Sequence, residues 1–322
     1  MIEDPIDPTL PICDSHHHLW DHPNDRYLLE EFLQDTGGGH HIVQTVFIQC
    51  VSMYRKYGSQ EMQPVGETEF VESIAARCVG RQHGAPAVAA GIVGFADLSL
   101  GDAVAPVLEA HIATSRDRFR GIRQSCIWDA SADIKSFDRV KGLMLNPKFR
   151  EGFSYLQKYG LSFDSWQYFT QLMELVDLAR AFPNTSIIVD HVGGPLGIGP
   201  YAGRGKEVFQ EWKRGMTALA TCPNVVVKLG GLGMPRCGFG WHERANPPSS
   251  TELADAMAPY YLSCIEFFGV GRCMFESNFP VDKISYSYTI LWNAFKRITE
   301  DFSPVERAAL FRNTAVKVYR LS

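Results

Sequence analysis

Asp14-Ser15-His16-His17-His18 follows a short apolar segment, Leu10 to Cys13. The segment reads as the first strand of the chain. Side chains alternate between the two faces of a strand, so His16 and His18 point one way and His17 the other. Two imidazoles on one face of a strand end can ligate one metal ion or hold one anionic substrate. A polar strand terminus with solvated histidines would need no such register. The run is short and passes directly into Leu19-Trp20, unlike an appended tag.

Working outward, apolar β-branched runs alternate with amphipathic segments along the whole chain. Strands are expected at Ile12–His18, Gln44–Cys50, Ala87–Phe95, Phe119–Ile127, Leu161–Trp166, Ser186–His191, Val225–Leu229 and Cys273–Ser277. Helices are expected at Thr68–Val79, Ala103–Ser115, Phe149–Lys158, Tyr168–Phe182, Lys206–Thr221, Ser250–Phe268, Ser285–Thr299 and Pro304–Tyr319. The last opens with Ser303 as N-cap, Pro304 at the first helical position and Glu306 three residues after the cap. Eightfold strand–helix alternation predicts a parallel sheet covered by helices, here one (β/α)8 TIM barrel spanning residues 1–322. The glycine- and proline-rich stretches Gly193–Gly205 and Gly230–Pro248 each follow a strand and read as long βα loops, not as domain boundaries.

Composition narrows the function classes. The net charge is -5, and no basic block stands out, which speaks against nucleic acid as a partner. No apolar run is long enough to cross a bilayer. The first residues, Met1-Ile2-Glu3-Asp4-Pro5, lack the pattern of a secretory signal. The 8 cysteines are scattered without a C-x-x-C pair and read as reduced thiols of a cytoplasmic protein. A small-molecule substrate is the expected partner, and the sequence leaves a homo-oligomer open.

A barrel makes a sharp expectation, because its functional residues gather at the C-terminal ends of the strands. Those positions here carry His16, His18, Gln49, Asp97, Arg123, Gln124, Asp164, Trp166, His191, Lys228, Glu276 and Asn278. Closure places the first strand beside the eighth, and so Asn278 beside His16 and His18. By alternation Asp190 is expected to face away from the pocket. Lys228 reads as a Schiff-base or carbamylated lysine, or as a buried lysine paired with Asp or Glu.

Four segments then carry a resemblance. They are Asp14 to Trp20, Arg120-Gly121-Ile122-Arg123, Ile188-Val189-Asp190-His191-Val192-Gly193 and Met274-Phe275-Glu276-Ser277-Asn278-Phe279-Pro280. Together, and in this order, they resemble the amidohydrolase-related proteins, and within them the lactonase branch of pyrone-dicarboxylate, sugar-acid and muconolactone lactonases. The resemblance implies a TIM-barrel hydrolase that opens a cyclic ester or related acyl bond. It implies that His16, His18 and His191 face the pocket, where they hold a divalent metal such as Zn²⁺ or contact substrate without one. It also implies that Arg123 holds a substrate carboxylate.

One position departs from the pattern. The family's strand-eight motif has an aspartate that activates water, and this chain has Asn278. An amide cannot act as a general base. Glu276, Asp282 and Asp164 are the carboxylates expected to take over, followed by the His242-Glu243 pair. In the mechanism this suggests, Arg123 fixes an anionic group, and Asp164, Trp166 and His242 complete the substrate pocket. The histidines stabilise the developing oxyanion, and Asn278 orients water that Glu276 or Asp282 deprotonates. A lyase on the same barrel, decarboxylase or dehydratase, and a catalytically silent binding barrel are the alternatives.

Overall fold

The computed structural model describes residues 3–78, 85–136 and 140–322. Met1, Ile2 and Val79, which the sequence reading touched, lie outside these. Eight strands pair in chain order, each parallel to the next. They are β1 (Ile12–His17), β2 (Ile42–Ile48), β3 (Ala87–Gly94), β4 (Phe119–Ser125), β5 (Ser162–Trp166), β6 (Ile187–Val189), β7 (Val225–Leu229) and β8 (Cys273–Phe275). The ends of β1 and β8 meet through a parallel bridge between His17 and Phe279. There the Asn278 N–H donates to His16 O at 2.9 Å and the His18 N–H to Phe279 O at 2.8 Å. The fold is a (β/α)8 barrel.

The outer helices are α1 (Leu29–Thr36), α2 (Val65–Cys78), α3 (Ala105–Thr114), α4 (Pro147–Lys158), α5 (Leu172–Ala181), α6 (Gly205–Ala220), α7 (Ser250–Phe268) and α8 (Tyr288–Ile298). The α7 helix has the expected bounds, and the Ser249 side chain caps it by accepting from the Glu252 N–H. Sequence periodicity did not reveal α1 or the small hairpin before it, Trp20–His22 with Asp25–Tyr27. Both are too short to show a period. The final expected helix is divided. Pro304–Ala308, capped by Ser303 and Glu306 as read from sequence, leads into a π-helical turn at Ala309–Asn313 and then Thr314–Val318.

Two apolar layers result. The larger fills the space between strands and helices. The smaller joins Cys13, Val46, Ile48, Val93, Ile188, Val226 and Met274 to Ala315, Tyr319 and Leu321, so the C-terminal segment plugs one end of the barrel interior. A bulge in β1 sets the orientation of the histidines, because Asp14 to His17 spans three steps where β2 takes two, from Thr45 to Phe47. Below the bulge, Asp14 turns outward to accept from the Tyr288 hydroxyl at 3.0 Å. Within it His16 faces inward, and at its upper end His17 faces outward to stack on Phe32 of α1 with ring centroids 4.1 Å apart.

Candidate active site

At the C-terminal mouth of the barrel lies a cavity of about 580 Å³. Its lining includes His18, Gln49, Arg123, Trp166, His191 and Asn278 from the strand ends, with Trp20, Tyr54, Phe95, Met234 and Arg236 from the loops above. Two guanidinium groups line it. Among the described residues, no carboxylate does.

The histidines are held by one edge each. His18 Nδ1 lies 2.8 Å from Ile48 O, so it must carry the proton and donate. Glu276 bridges the other two rings, with Oε1 2.7 Å from His191 Nδ1 and Oε2 2.8 Å from His16 Nδ1. The Glu276 contact makes His191 Nδ1 a donor, so the Nε2 atoms of His18 and His191 carry no proton when neutral, whereas His16 Nδ1 lies between Glu276 Oε2 and the donor-only Lys228 Nζ. Burial pushes His16 and His18 far below the usual imidazole range, so both are neutral. Burial alone would raise Glu276, but the facing His191 and His16 outweigh it and hold the carboxyl ionised well below its usual range.

This arrangement fits a metal ion. His16 Nε2 and His18 Nε2 stand 3.2 Å apart, and two lone pairs at that distance repel unless a cation or proton lies between them. Two tetrahedral ligands at about 2.05 Å from one zinc ion stand roughly 3.3 Å apart. The donor atoms of His16, His191 and Glu276 fall within 4.8 Å of one another, a group that does not include His18. Charge points the same way, because Asp164, Asp190 and Glu276 are fully buried and, among the described residues, Lys228 and Arg123 are the Lys and Arg side chains that pair with them, an excess of anion that a cation offsets.

Beneath the histidines, Lys228 Nζ donates to Asp164 Oδ2 at 2.7 Å and Asp190 Oδ1 at 3.0 Å. It also lies 3.2 Å from His16 Nδ1. Burial works against the ammonium form, but the two carboxylates outweigh it and raise Lys228 above its usual value. The paired form anticipated for this lysine is the one present. Arg123 Nη1 stands 3.4 Å from His16 Nε2 and 3.7 Å from Asp190 Oδ2, and its Nη2 donates to Gln49 O.

Several sequence expectations need correction. Asp190 points into the barrel, because β6 stops at Val189 and Asp190 keeps the inward parity of Ile188. His191 regains the cavity only through a left-handed backbone, φ 54°, followed by Val192 at φ 46°. Asp164 is not part of the cavity lining. It is spent on Lys228 and on the Tyr319 hydroxyl, which donates at 2.6 Å, and burial pushes it up to about 6. His242 does not line the cavity either, and sits beside the exposed Glu243, 3.7 Å from its Oε1. Glu276 lies beneath the histidines with both oxygens turned to them, and Asp282 lies behind Asn278, to which it is hydrogen-bonded at 2.8 Å. Neither carboxylate reaches the cavity surface as a direct base.

Arg236 was missed. It follows β7 in a turn at Pro235–Cys237, lies 5.5 Å over the Trp166 ring and donates to the Tyr168 hydroxyl at 3.0 Å. Its position a few residues beyond a barrel strand was the available signal, overshadowed by Trp241-His242-Glu243 nearby. Trp20, from the short hairpin, and Tyr54, from a loop, reach the mouth from segments that no periodicity announces. Glycine makes room for the histidines. Gly231, at φ 72°, packs so close that a Cβ there would lie 2.4 Å from His191 Nδ1.

Comparison with known proteins agrees with this architecture. The family model described as Amidohydrolase matches residues 13–321. A Sinorhizobium fredii protein called y4mH is 34% identical, over 97% of this chain and 99% of its own. An L-fucono-1,5-lactonase of Burkholderia ambifaria is 26% identical over 84% of this chain and 87% of its own. The crystal structure of a Burkholderia multivorans amidohydrolase with bound zinc superposes with a TM-score of 0.73 at 22% identity, covering 97% of this chain and 99% of that one. The chain belongs to the amidohydrolase family and is a hydrolase of that superfamily.

Proposed function

We propose that this protein hydrolyses an anionic, flat-ringed cyclic ester at the barrel mouth. The observation that carries the reading is the cavity lining, with Arg123 and Arg236, no carboxylate among the described residues, and the aromatic faces of Trp20, Tyr54, Phe95 and Trp166. Guanidinium groups bind carboxylates through paired donors, and one stacked on an indole keeps its in-plane N–H groups free. Apolar aromatic walls favour a planar ring. The similarity to an L-fucono-1,5-lactonase supports an ester ring as the bond opened.

His16, His18 and His191 would hold a divalent ion through Nε2, with Glu276 and Ile48 O fixing the opposite ring edges. Such an ion would supply Lewis acidity to the ester carbonyl and acidify the attacking water. Arg123, 3.4 Å from His16 Nε2, places a substrate carboxylate next to the reacting carbonyl. Asn278 lines the same cavity, where it would accept a hydrogen bond from the attacking water, whose proton passes to the ring oxygen released as the ester opens. The buried Lys228–Asp164–Asp190 cluster keeps His16 in place from below.

The test is hydrolysis of a lactone panel that includes L-fucono-1,5-lactone and 2-pyrone-4,6-dicarboxylate, with metal content measured on protein purified without added metal or chelator. Carboxylate-bearing rings should be turned over in preference to neutral ones, and a clear preference for neutral lactones would refute the anionic reading. That no described residue brings a carboxylate to the cavity surface favours one second reading, a lyase, which needs no hydrolytic water. Reaction in ¹⁸O-labelled water separates the two, since only hydrolysis must place label in the product.

A further inference from the structure

Asn278 stands where the resemblance expects an aspartate, and the structure shows what lies behind it. Asn278 is left-handed, φ 57°, and its side chain lines the cavity. Its Nδ2 donates to Asp282 Oδ1 at 2.8 Å. Asp282 is fully buried. Its other oxygen, Oδ2, accepts from the Gly233 N–H at 2.9 Å and from the Tyr286 hydroxyl at 2.7 Å. Three donors converge on one carboxyl group, so both oxygens act as acceptors. Gly233 is required for this approach, since a Cβ there would lie 2.8 Å from Asp282 Cγ and 2.5 Å from the Tyr286 hydroxyl.

An amide has two different ends, and the hydrogen-bond network decides which way each points. An acceptor behind Asn278 selects its NH2 end, and the carbonyl oxygen is then turned toward the cavity. We propose that Asp282 is a positioning residue that locks Asn278 with Oδ1 facing the substrate, so that the pair works as a displaced carboxylate. The acceptor stands in front, and the negative charge sits one side chain behind, where it polarises the amide through the hydrogen bond. Only the use made of Oδ1, orienting the attacking water, rests on the hydrolytic reading. The lock itself does not.

Side-chain amide NMR of the full chain reads the lock without a substrate, with the Asn278 signals assigned by their loss in Asn278→Asp. Solvent exchange of the Nδ2 protons should be slow in the wild type and faster by about tenfold or more in Asp282→Ala, because the protecting acceptor is gone. Equal exchange rates would overturn the proposal, whatever the protein hydrolyses. Should Asp282→Ala fail to fold, neutron diffraction of the wild type gives the same answer. Nδ2 deuterons directed at Asp282 support the lock, and deuterons directed into the cavity overturn it. On any panel lactone turned over, Asp282→Asn should lower kcat about tenfold or more with KM little changed, and the exchange Asn278→Asp with Asp282→Asn should recover part of that loss. Wild-type kcat in Asp282→Asn would overturn the orienting role. An intact lock with no lactone turned over supports the lock and counts against the hydrolytic reading alone.

Discussion

Replacing Gly231 by alanine adds one methyl group against the centre of the site. The new Cβ would stand 2.4 Å from His191 Nδ1, 2.5 Å from Cγ and 2.6 Å from Cβ. Ordinary carbon contacts begin near 3.5 Å, so the ring must retreat by about 1 Å. The ring cannot retreat freely, because Nδ1 is bonded to Glu276 at 2.7 Å and Trp166 packs edge-on with its centroid 4.7 Å away. Gly231 also has φ 72°, which costs a side-chain-bearing residue about 1–2 kcal/mol. Overpacking adds about 1–3 kcal/mol. The expected destabilisation is therefore about 2–5 kcal/mol. A misplacement of about 1 Å at a reacting centre costs on the order of 100-fold in rate. Thermal unfolding, zinc competition against a chromophoric chelator and lactone turnover would all be measured on the purified variant. Folded Gly231→Ala should bind zinc about 10–100-fold more weakly, the range for disturbed ligand support. A folded variant with wild-type zinc affinity and turnover would refute the reasoning that His191 is set by this contact.

Other perturbations read other parts of the site. Glu276→Gln should weaken zinc binding about 10–100-fold by calorimetry, because it removes the charge that orients two imidazoles; unchanged affinity would show that Glu276 does not support the ligands. Arg123→Met and Arg236→Met should each raise KM for a carboxylate-bearing lactone about 10–100-fold, from about 1.5–3 kcal/mol per charged hydrogen bond, with little change for a neutral one. Lys228→Met leaves Asp164 and Asp190 buried without their shared cation and should cost about 3–5 kcal/mol in urea unfolding; a loss below 1 kcal/mol would contradict the pairing. Glu67 of α2, fully buried, accepts from the N–H groups of Cys50 and Ser52, and burial pushes its carboxyl from 4.5 up to about 7. The folded protein holds this proton more tightly than the unfolded chain does, so its contribution to stability falls as pH rises from about 4.5 to about 7 and stays lower above. Glu67→Gln should flatten that part of the stability–pH curve, and an unchanged slope would show that Glu67 does not titrate there.

How much of this was legible in the sequence varies with the range of the interaction. Strands such as Ile42–Ile48, Ile187–Val189 and Val225–Leu229 were marked because burial on both faces writes an apolar run into the chain itself. Ser250–Phe268 was readable to the residue because its cap and its apolar stripe are local. His16 and His18 were assigned to one face correctly, since two-residue alternation survives from the bulge onward. Alternation runs on through Asp190 and fails at His191, where a left-handed turn replaces the strand and returns the ring to the cavity, so counting back from His191 misplaced Asp190. Asn278 could be seen to differ from the family pattern, but nothing local says that Asp282 turns back to hold it.

The sequence by itself therefore determined the barrel, the family and most of the strand-end residues able to do chemistry, because each is written in short-range pattern and residue type. Tertiary structure alone decided their division of labour. Glu276 is pinned between His16 and His191, Asp164 and Asp190 are committed to Lys228, and Arg236 joins Arg123 at the mouth. Whether a carboxylate is a base, a strut or a counter-ion depends on which groups face it across the barrel, and those partners lie far away in the chain, as His16 does from Glu276.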